Sequence, residues 1–212
     1  MIHIRTFVFN PFGENTFVLY DDTLECAVVD AGCMDPGEEK ELEQFIREQK
    51  LKPVLLLNTH CHVDHVAGNG FMKRKYGLLA HCHETDAFLL KDAVAHARMF
   101  GLETENPPEP GEFIREDERI RFGETSLQVI HVPGHSPGSV VFYSADDHIL
   151  LAGDVLFKGG IGRTDLPGGD HRALLKNIRE KLFSLPGDTV VYPGHGPATT
   201  IGTEKTSNPF FV

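Results

Sequence analysis

The chain lacks any pair of cysteines at the two-residue spacing of metal knuckles and redox motifs. Its four cysteines, Cys26, Cys33, Cys61 and Cys82, stand apart, and free thiols in a reduced, cytoplasmic setting are the simplest reading. It also lacks a basic excess. Twenty Lys and Arg face 31 Asp and Glu, a formal net charge of −11, which argues against a nucleic-acid partner, whose phosphates demand clustered cations. No apolar run is long enough to span a bilayer, and Met1–Tyr20 contain no uninterrupted apolar core of signal-peptide length, so no membrane partner is expected. No low-complexity stretch or linker divides the chain. With 212 residues and 41% hydrophobic content, it reads as one domain, 1–212, large enough to bury a core.

What the chain does have is a concentration of metal-ligand side chains. Thr59-His60-Cys61-His62-Val63-Asp64-His65 follows the apolar run Val54-Leu55-Leu56-Leu57. Imidazole and carboxylate are standard ligands for zinc and iron. A buried strand that stops at Asn58 leaves a short loop from which His60 and His62 can point the same way, with Asp64 and His65 at the start of a helix. One loop can thus feed two adjacent metals, His60 and His62 to one, Asp64 and His65 to the other. Three further strand–loop junctions carry the same chemistry. His135 sits in the turn Pro133-Gly134-His135-Ser136-Pro137-Gly138, Asp154 ends the run Ile149-Leu150-Leu151-Ala152-Gly153, and His195 follows Val190-Val191-Tyr192-Pro193-Gly194. A carboxylate or imidazole placed after a buried strand is costly to desolvate unless something compensates it, and a metal does so.

The coarse pattern is β-rich first, then alternates helix and strand. Ile2–Phe9, Thr16–Tyr20 and Cys26–Val29 read as strands. Asp35 reads as the N-cap of a helix with Pro36 at its first position, and Leu42, Phe45 and Ile46 form its apolar stripe. The Val54–Leu57 strand, the His-rich loop and a helix ending near Lys75 follow. Asp170 caps a late helix with Leu174, Leu175, Ile178 and Leu182 inward. Pro107-Pro108-Glu109-Pro110 reads as a surface loop. His81-Cys82-His83 repeats the His-x-His spacing without a following Asp-His pair and is expected to bind nothing. Cys61 is expected to point away from the ligands beside it, as successive extended side chains do.

His-Cys-His-Val-Asp-His at 60–65, Gly-His-Ser-Pro-Gly-Ser at 134–139, the Leu-Leu-Ala-Gly-Asp strand end at 150–154 and Tyr-Pro-Gly-His-Gly at 192–196 resemble, in order and context, the metallo-β-lactamase fold superfamily. Gly162–Asp170 and Thr206–Phe210 resemble short bacterial glyoxalase II-like (hydroxyacylglutathione hydrolase-like) proteins. The resemblance implies an α/β four-layer αββα sandwich with the ligand loops at one sheet edge. It implies two divalent ions, zinc first, with iron or manganese also suited to such mixed sites. His60, His62 and His135 would hold one ion, Asp64, His65 and His195 the other, and Asp154 would bridge them. Asp64 and Asp154 are thereby the carboxylates expected to matter for catalysis. Two cations roughly 3.5–4 Å apart can share a water and lower its pKa from 15.7 towards about 7.

The implied reaction is hydrolysis of a small-molecule thioester, a hydroxyacylglutathione such as lactoylglutathione. A thiolate leaving group, with a pKa of about 8.5, needs little help from a general acid. An anionic thiol calls for a local cation, and Arg163, in a glycine-bracketed loop, is the first choice, with Lys158 second. The chain departs from full glyoxalase II enzymes, whose C-terminal helical domain supplies much of the glutathione grip. Asp154 stands where β-lactamases of the fold often have cysteine, and His62 where flavodiiron relatives have Glu. The alternative function is a mononuclear iron persulfide dioxygenase, whose facial triad would be His60, His135 and Asp154. A closed structural zinc site is a third reading, against which seven candidate ligands on open loops argue.

Overall fold

The computed structural model describes Met1–Val212, and its two halves build one sheet each. The first half runs β1 (His3–Phe9), β2 (Glu14–Tyr20), β3 (Glu25–Val29), α1 (Pro36–Glu48), β4 (Lys52–Leu57), α2 (Val63–Val66), α3 (Asn69–Tyr76), β5 (Ala80–His83), α4 (Ala87–Met99) and β6 (Glu112–Ile114). Its strands lie side by side in chain order, antiparallel from β1 to β3 and parallel from β3 to β6. The second half runs β7 (Arg119–Phe122), β8 (Thr125–His131), β9 (Val140–Ser144), β10 (Ile149–Gly153), the small hairpin β11 (Leu156–Phe157) and β12 (Gly160–Ile161), α5 (His171–Asn177), β13 (Val190–Pro193), β14 (Thr199–Thr200) and α6 (Ile201–Ser207). Its sheet has the order β14-β13-β10-β9-β8-β7.

Three layers of apolar contact hold the stack together. Phe17, Leu19, Ala27, Val29 and Leu57 from the first sheet meet Leu127, Val129, Phe142 and Leu151 from the second. On the outer face of the first sheet, Val18, Val28 and Leu56 pack against Leu42 and Ile46 of α1 and Phe71 and Met72 of α3. On the outer face of the second, Val141, Leu150 and Val191 pack against Leu174, Ile178, Leu182 and Ile201. Both faces of the central strands are therefore covered, which explains why those strands read as continuous apolar runs. The result is helix, sheet, sheet, helix, the expected αββα arrangement. No helix is long and apolar enough to cross a membrane.

Local signals account for the starts of α1 and α5. Asp35 accepts from Gly37 N–H and Glu38 N–H with Pro36 opening α1, and Asp170 accepts from Ala173 N–H to open α5. Leu174 is buried in α5, and Ile178 and Leu182 in the π-helical turn that continues it (Ile178–Leu182), while Leu175 is half-buried. One expectation is corrected: the helix after the His-rich loop is two short helices, α2 and α3, broken around Ala67–Gly68. Gly68 N–H donates to Ala31 O at 2.7 Å, which pulls the break against the end of β3. The strand expected from Thr16 also begins earlier, at Glu14. The 107–110 segment lies at the surface as a loop.

Asp21, buried at the end of β2, ties the two sheets. It accepts from Thr23 N–H and Oγ1–H, and across the interface from Glu124 N–H (2.8 Å) and Thr125 Oγ1–H (2.9 Å). Burial pushes its carboxyl up, but the hydrogen bonds from Thr23, Thr125 and Glu124 outweigh that and bring it down to about 2. A carboxyl whose pKa is depressed on folding stabilises the fold above its unfolded value of about 3.9 and loses that contribution as pH falls towards 2. Asp21→Asn should therefore cost about 2 kcal/mol at pH 7 and much less near pH 2. Urea unfolding of both proteins at the two pH values checks this; an equal difference at both would separate the loss from ionisation.

Candidate metal centre

The His-rich loop is fixed before any ligand is considered. Thr59 N–H donates to Asp30 Oδ1 (2.7 Å) and Thr59 Oγ1–H to Asp30 Oδ2 (2.6 Å). Val140 N–H donates to Thr59 O (2.8 Å), stitching the loop to the second sheet. Asn58 Nδ2 donates to His65 O, and Asn69 Nδ2 to Asn58 Oδ1. Across the junction, Asn15 N–H donates to Gly194 O and its side chain to Pro193 O and Gly196 O. The start of β2 thus carries the loop that bears His195.

Four imidazoles have their outer nitrogen committed to an acceptor. His135 Nδ1 donates to Arg163 O (2.8 Å), His195 Nδ1 to Phe12 O and Gly13 O (both 3.2 Å), and His65 Nδ1 to Asp30 Oδ2 (3.0 Å). The Thr59 hydroxyl proton is spent on Asp30, so His60 Nδ1 donates to Thr59 Oγ1 (3.1 Å). In the neutral form each ring then presents a bare Nε2 inward. These lone pairs converge. His135 Nε2 lies 3.2 Å from His60 Nε2 and 2.8 Å from His62 Nδ1. His195 Nε2 lies 3.1 Å from Asp64 Oδ2, and His65 Nε2 3.6 Å from the same oxygen. Two nitrogens bound tetrahedrally to one zinc lie roughly 3.3 Å apart.

Asp154 stands between the two trios. Its Oδ2 is 3.6 Å from both His135 Nε2 and His195 Nε2, and its Oδ1 is 3.4 Å from His65 Nε2. A Cβ at Gly194 would fall 2.2 Å from Asp154 Oδ1 and 2.7 Å from His65 Cε1, so glycine is required before His195. The buried atoms His65 Nε2 and Asp154 Oδ1 have no hydrogen-bond partner, which is costly without a compensating ion; His62 turns Nδ1 to His135 and leaves its outer Nε2 unpartnered as well. The electrostatics divide the rings: burial opposes charge on His195, but Asp64 and Asp154 raise it. Burial and the neighbouring imidazoles hold His60 well below the usual range, and burial with His135 brings His62 down to about 3. His65 moves the other way: burial opposes its charge, but Asp64, Asp154 and Asp30 raise it. Burial also opposes charge on Asp64 and Asp154, while His65 and the other imidazoles lower both. Acceptor-type atoms form the groups His60–His62–His135, His60–His65–Asp154 and Asp64–His65–His195, each within 4.8 Å. The seven side chains picked from the sequence thus meet in one place and are able to bind metal.

Other sequence candidates fall elsewhere. His81 and His83 lie on β5, and His83 stacks on His131 at 4.1 Å. Cys61 is buried with Cys82 and Leu89 on the α4 side. Arg163 is exposed and its guanidinium forks onto Asp165 with two 2.7 Å bonds, while its carbonyl orients His135. Lys158 is exposed between β11 and β12. The sequence reading missed Asp30, although a carboxylate after the apolar Val28-Val29 carries the same signature that singled out Asp154. It also missed Glu14, fully buried, with Oε2 accepting from Thr16 Oγ1–H and Oε1 4.0 Å from His65 Nδ1. Burial raises its carboxyl well above the usual range. No local pattern marks it.

Comparison with known proteins gives this architecture a family. Residues 9–195 match the metallo-beta-lactamase superfamily model. Over 211 residues the chain is 37% identical to the hydroxyacylglutathione hydrolase GloC of Haemophilus influenzae, covering 99% of this chain and 98% of that one. It is 34% identical to the human mitochondrial persulfide dioxygenase ETHE1 over 91% of this chain, but spans 65% of that protein. Among solved structures, TTHA1623 in a di-iron-bound form superposes with a TM-score of 0.88 at 37% identity, covering 97% and 99% of the two chains. The B3 metallo-beta-lactamase BLEG-1 superposes at 0.91 with 33% identity, covering 99% and 100%. The chain belongs to the metallo-β-lactamase superfamily.

The two His-x-His pairs provide a direct check on the geometry. His60→Ala with His62→Ala should strip metal from the purified protein. His81→Ala with His83→Ala should leave metal content unchanged, measured by elemental analysis of each. Loss of metal from the second pair would overturn the assignment.

Proposed function

We propose that the protein is a binuclear metal-dependent thioester hydrolase acting on a hydroxyacylglutathione such as lactoylglutathione. The observation that carries the reading is the convergence of five imidazoles and Asp64 into two adjoining trios, with Asp154 between them. In it, His60, His62 and His135 hold one divalent ion, Asp64, His65 and His195 the other, and Asp154 reaches both. Zinc fits the mixed nitrogen and oxygen donors, as do iron and manganese. Bound there, such ions supply Lewis acidity and an acidified water. The chain's own part is to hold the donors in place. Asp30, Thr59 Oγ1, Arg163 O and the Phe12 and Gly13 carbonyls fix the tautomers of His65, His60, His135 and His195, as outer partners of metal-ligating histidines do.

Thioester chemistry rests on the similarity to GloC and on the good thiolate leaving group. For the thiol half, Lys158 and Arg163 are the cations offered to a substrate carboxylate. Lys158 can do so from its exposed hairpin. Arg163 must exchange its Asp165 partner, so its contribution is the smaller.

Persulfide dioxygenation is the second reading, favoured by the similarity to ETHE1 and served by His60, His135 and Asp154. Against it stands the second trio. A single ion held by His60, His135 and Asp154 would leave Asp64, His65 and His195 without an ion, Asp64 and His195 joined by a hydrogen bond of 3.1 Å.

One set of measurements separates the readings: metal content, hydrolysis of lactoylglutathione, and oxygen uptake with glutathione persulfide on the same preparation. Two ions and hydrolysis support the proposal; one iron and oxygen uptake replace it with the second reading. Asp154→Asn should lose at least one ion and lower kcat by about a hundredfold or more, since a neutral amide bridges two cations poorly. Full turnover with both ions retained would remove Asp154 from the site.

A further inference from the structure

Asp86 is a fully buried carboxylate that belongs to neither trio. It closes the single turn of 3₁₀ helix between β5 and α4, and two separate ligand-bearing loops donate to it. From the loop after β4, Cys61 N–H donates to Oδ2 at 3.2 Å. From the loop after β8, Ser136 Oγ–H donates to the same oxygen at 2.7 Å and Gly138 N–H to Oδ1. Ser139 Oγ accepts from Ser136 N–H (3.1 Å) and lies 2.7 Å from Ser136 Oγ, so the hydroxyl protons can run one way towards Asp86. A Cβ at Gly138 would sit 2.6 Å from the Asp86 carboxyl carbon. That contact accounts for the glycine in Ser136-Pro137-Gly138-Ser139.

The placement of these donors is selective. Cys61 lies between His60 and His62, and Ser136 follows His135. One carboxylate therefore fixes the backbone on both sides of the first trio. The second trio is held by other groups: the Asp64 carbonyl accepts from Asn10 Nδ2, His65 leans on Asp30, and the His195 loop on Asn15.

We propose that Asp86 is a positioning residue for the His60–His62–His135 trio: it sets the separation of the two loops, and so the metal affinity of that trio, without touching the ion. The proposal rests on the reading that the trios hold metal. It goes beyond that reading by assigning a non-ligand to one of two ions.

Apoprotein, Asp86→Asn and Ser136→Ala are to be titrated with zinc against a chromophoric chelator, with circular dichroism and thermal unfolding recorded on each. Asn keeps an acceptor oxygen but loses the charge and one acceptor side; Ser136→Ala removes one donor and leaves the carboxylate. For Asp86→Asn the expected result is a folded protein in which one zinc equivalent binds on the order of tenfold or more weakly. The other equivalent stays at wild-type affinity. Ser136→Ala should shift the same equivalent by less. In the apo state, amide exchange at Cys61 and Gly138 should quicken in Asp86→Asn. Two unchanged equivalents in a folded Asp86→Asn protein would overturn the proposal, and so would equal weakening of both, the mark of a general structural role. A wild-type chain that binds no zinc would instead remove the metal reading and this proposal with it, an outcome visible in the control alone.

Discussion

The structure is organised around a buried meeting of lone pairs that ordinary protein chemistry would keep apart. In the neutral form His60, His65, His135 and His195 each spend their one N–H on an outward acceptor, so their inner nitrogens are left to accept. Asp64 and Asp154 add carboxylate oxygens to the same space. Left uncompensated, such a cluster costs several kcal/mol in desolvation and mutual repulsion. A divalent cation reverses the sign of every one of those terms. Glycine at 194, which lets Asp154 and His65 approach, and Asp30 beneath the His-rich loop both serve that cluster.

This constraint reaches into the fold. The first trio takes two imidazoles from the loop after β4 and one from the loop after β8, and the second draws on α2 and on the loop after β13. Each sheet supplies only part of a site. The packing of Phe17, Leu19 and Val29 against Leu127, Val129 and Phe142 sets the distance between the contributing edges. Asp21, Asn15 and the Thr59–Val140 bond fasten the sheets at points around that contact. Rigid strands with short loops hold donors to within the tolerance that metal binding demands better than long loops would.

Much of this was legible in the sequence because its signals are local. Each candidate junction is an apolar run followed within a few residues by a His or Asp, and the structure brings the seven side chains together. Asp35, Pro36 and Asp170 mark helix starts through bonds spanning two or three residues. What was hidden depends on contacts distant along the chain. Asp86 meets Ser136 across 50 residues, and Glu14 is buried behind His65 with no periodic pattern to announce it. The break between α2 and α3 follows from Gly68 meeting Ala31, a tertiary contact. Asp30 was readable by the rule that found Asp154 and was passed over. Arg163 was read as a free cation although Asp165, its partner, stands two residues away; exposed Arg–Asp pairing at that spacing depends on the turn between them.

The central claim is that the imidazole tautomers are preset, with Nδ1 protonated and Nε2 bare. Nitrogen-15 correlation spectra of the zinc-loaded protein, specifically labelled at histidine, report it most directly. His60, His65, His135 and His195 should each show a protonated Nδ1 and an Nε2 moved from the chemical shift of a free imidazole acceptor by the bound ion, with no proton on it. A protonated Nε2 on any of these four rings, or Nε2 shifts unchanged between the apo and zinc-loaded protein, would contradict the account.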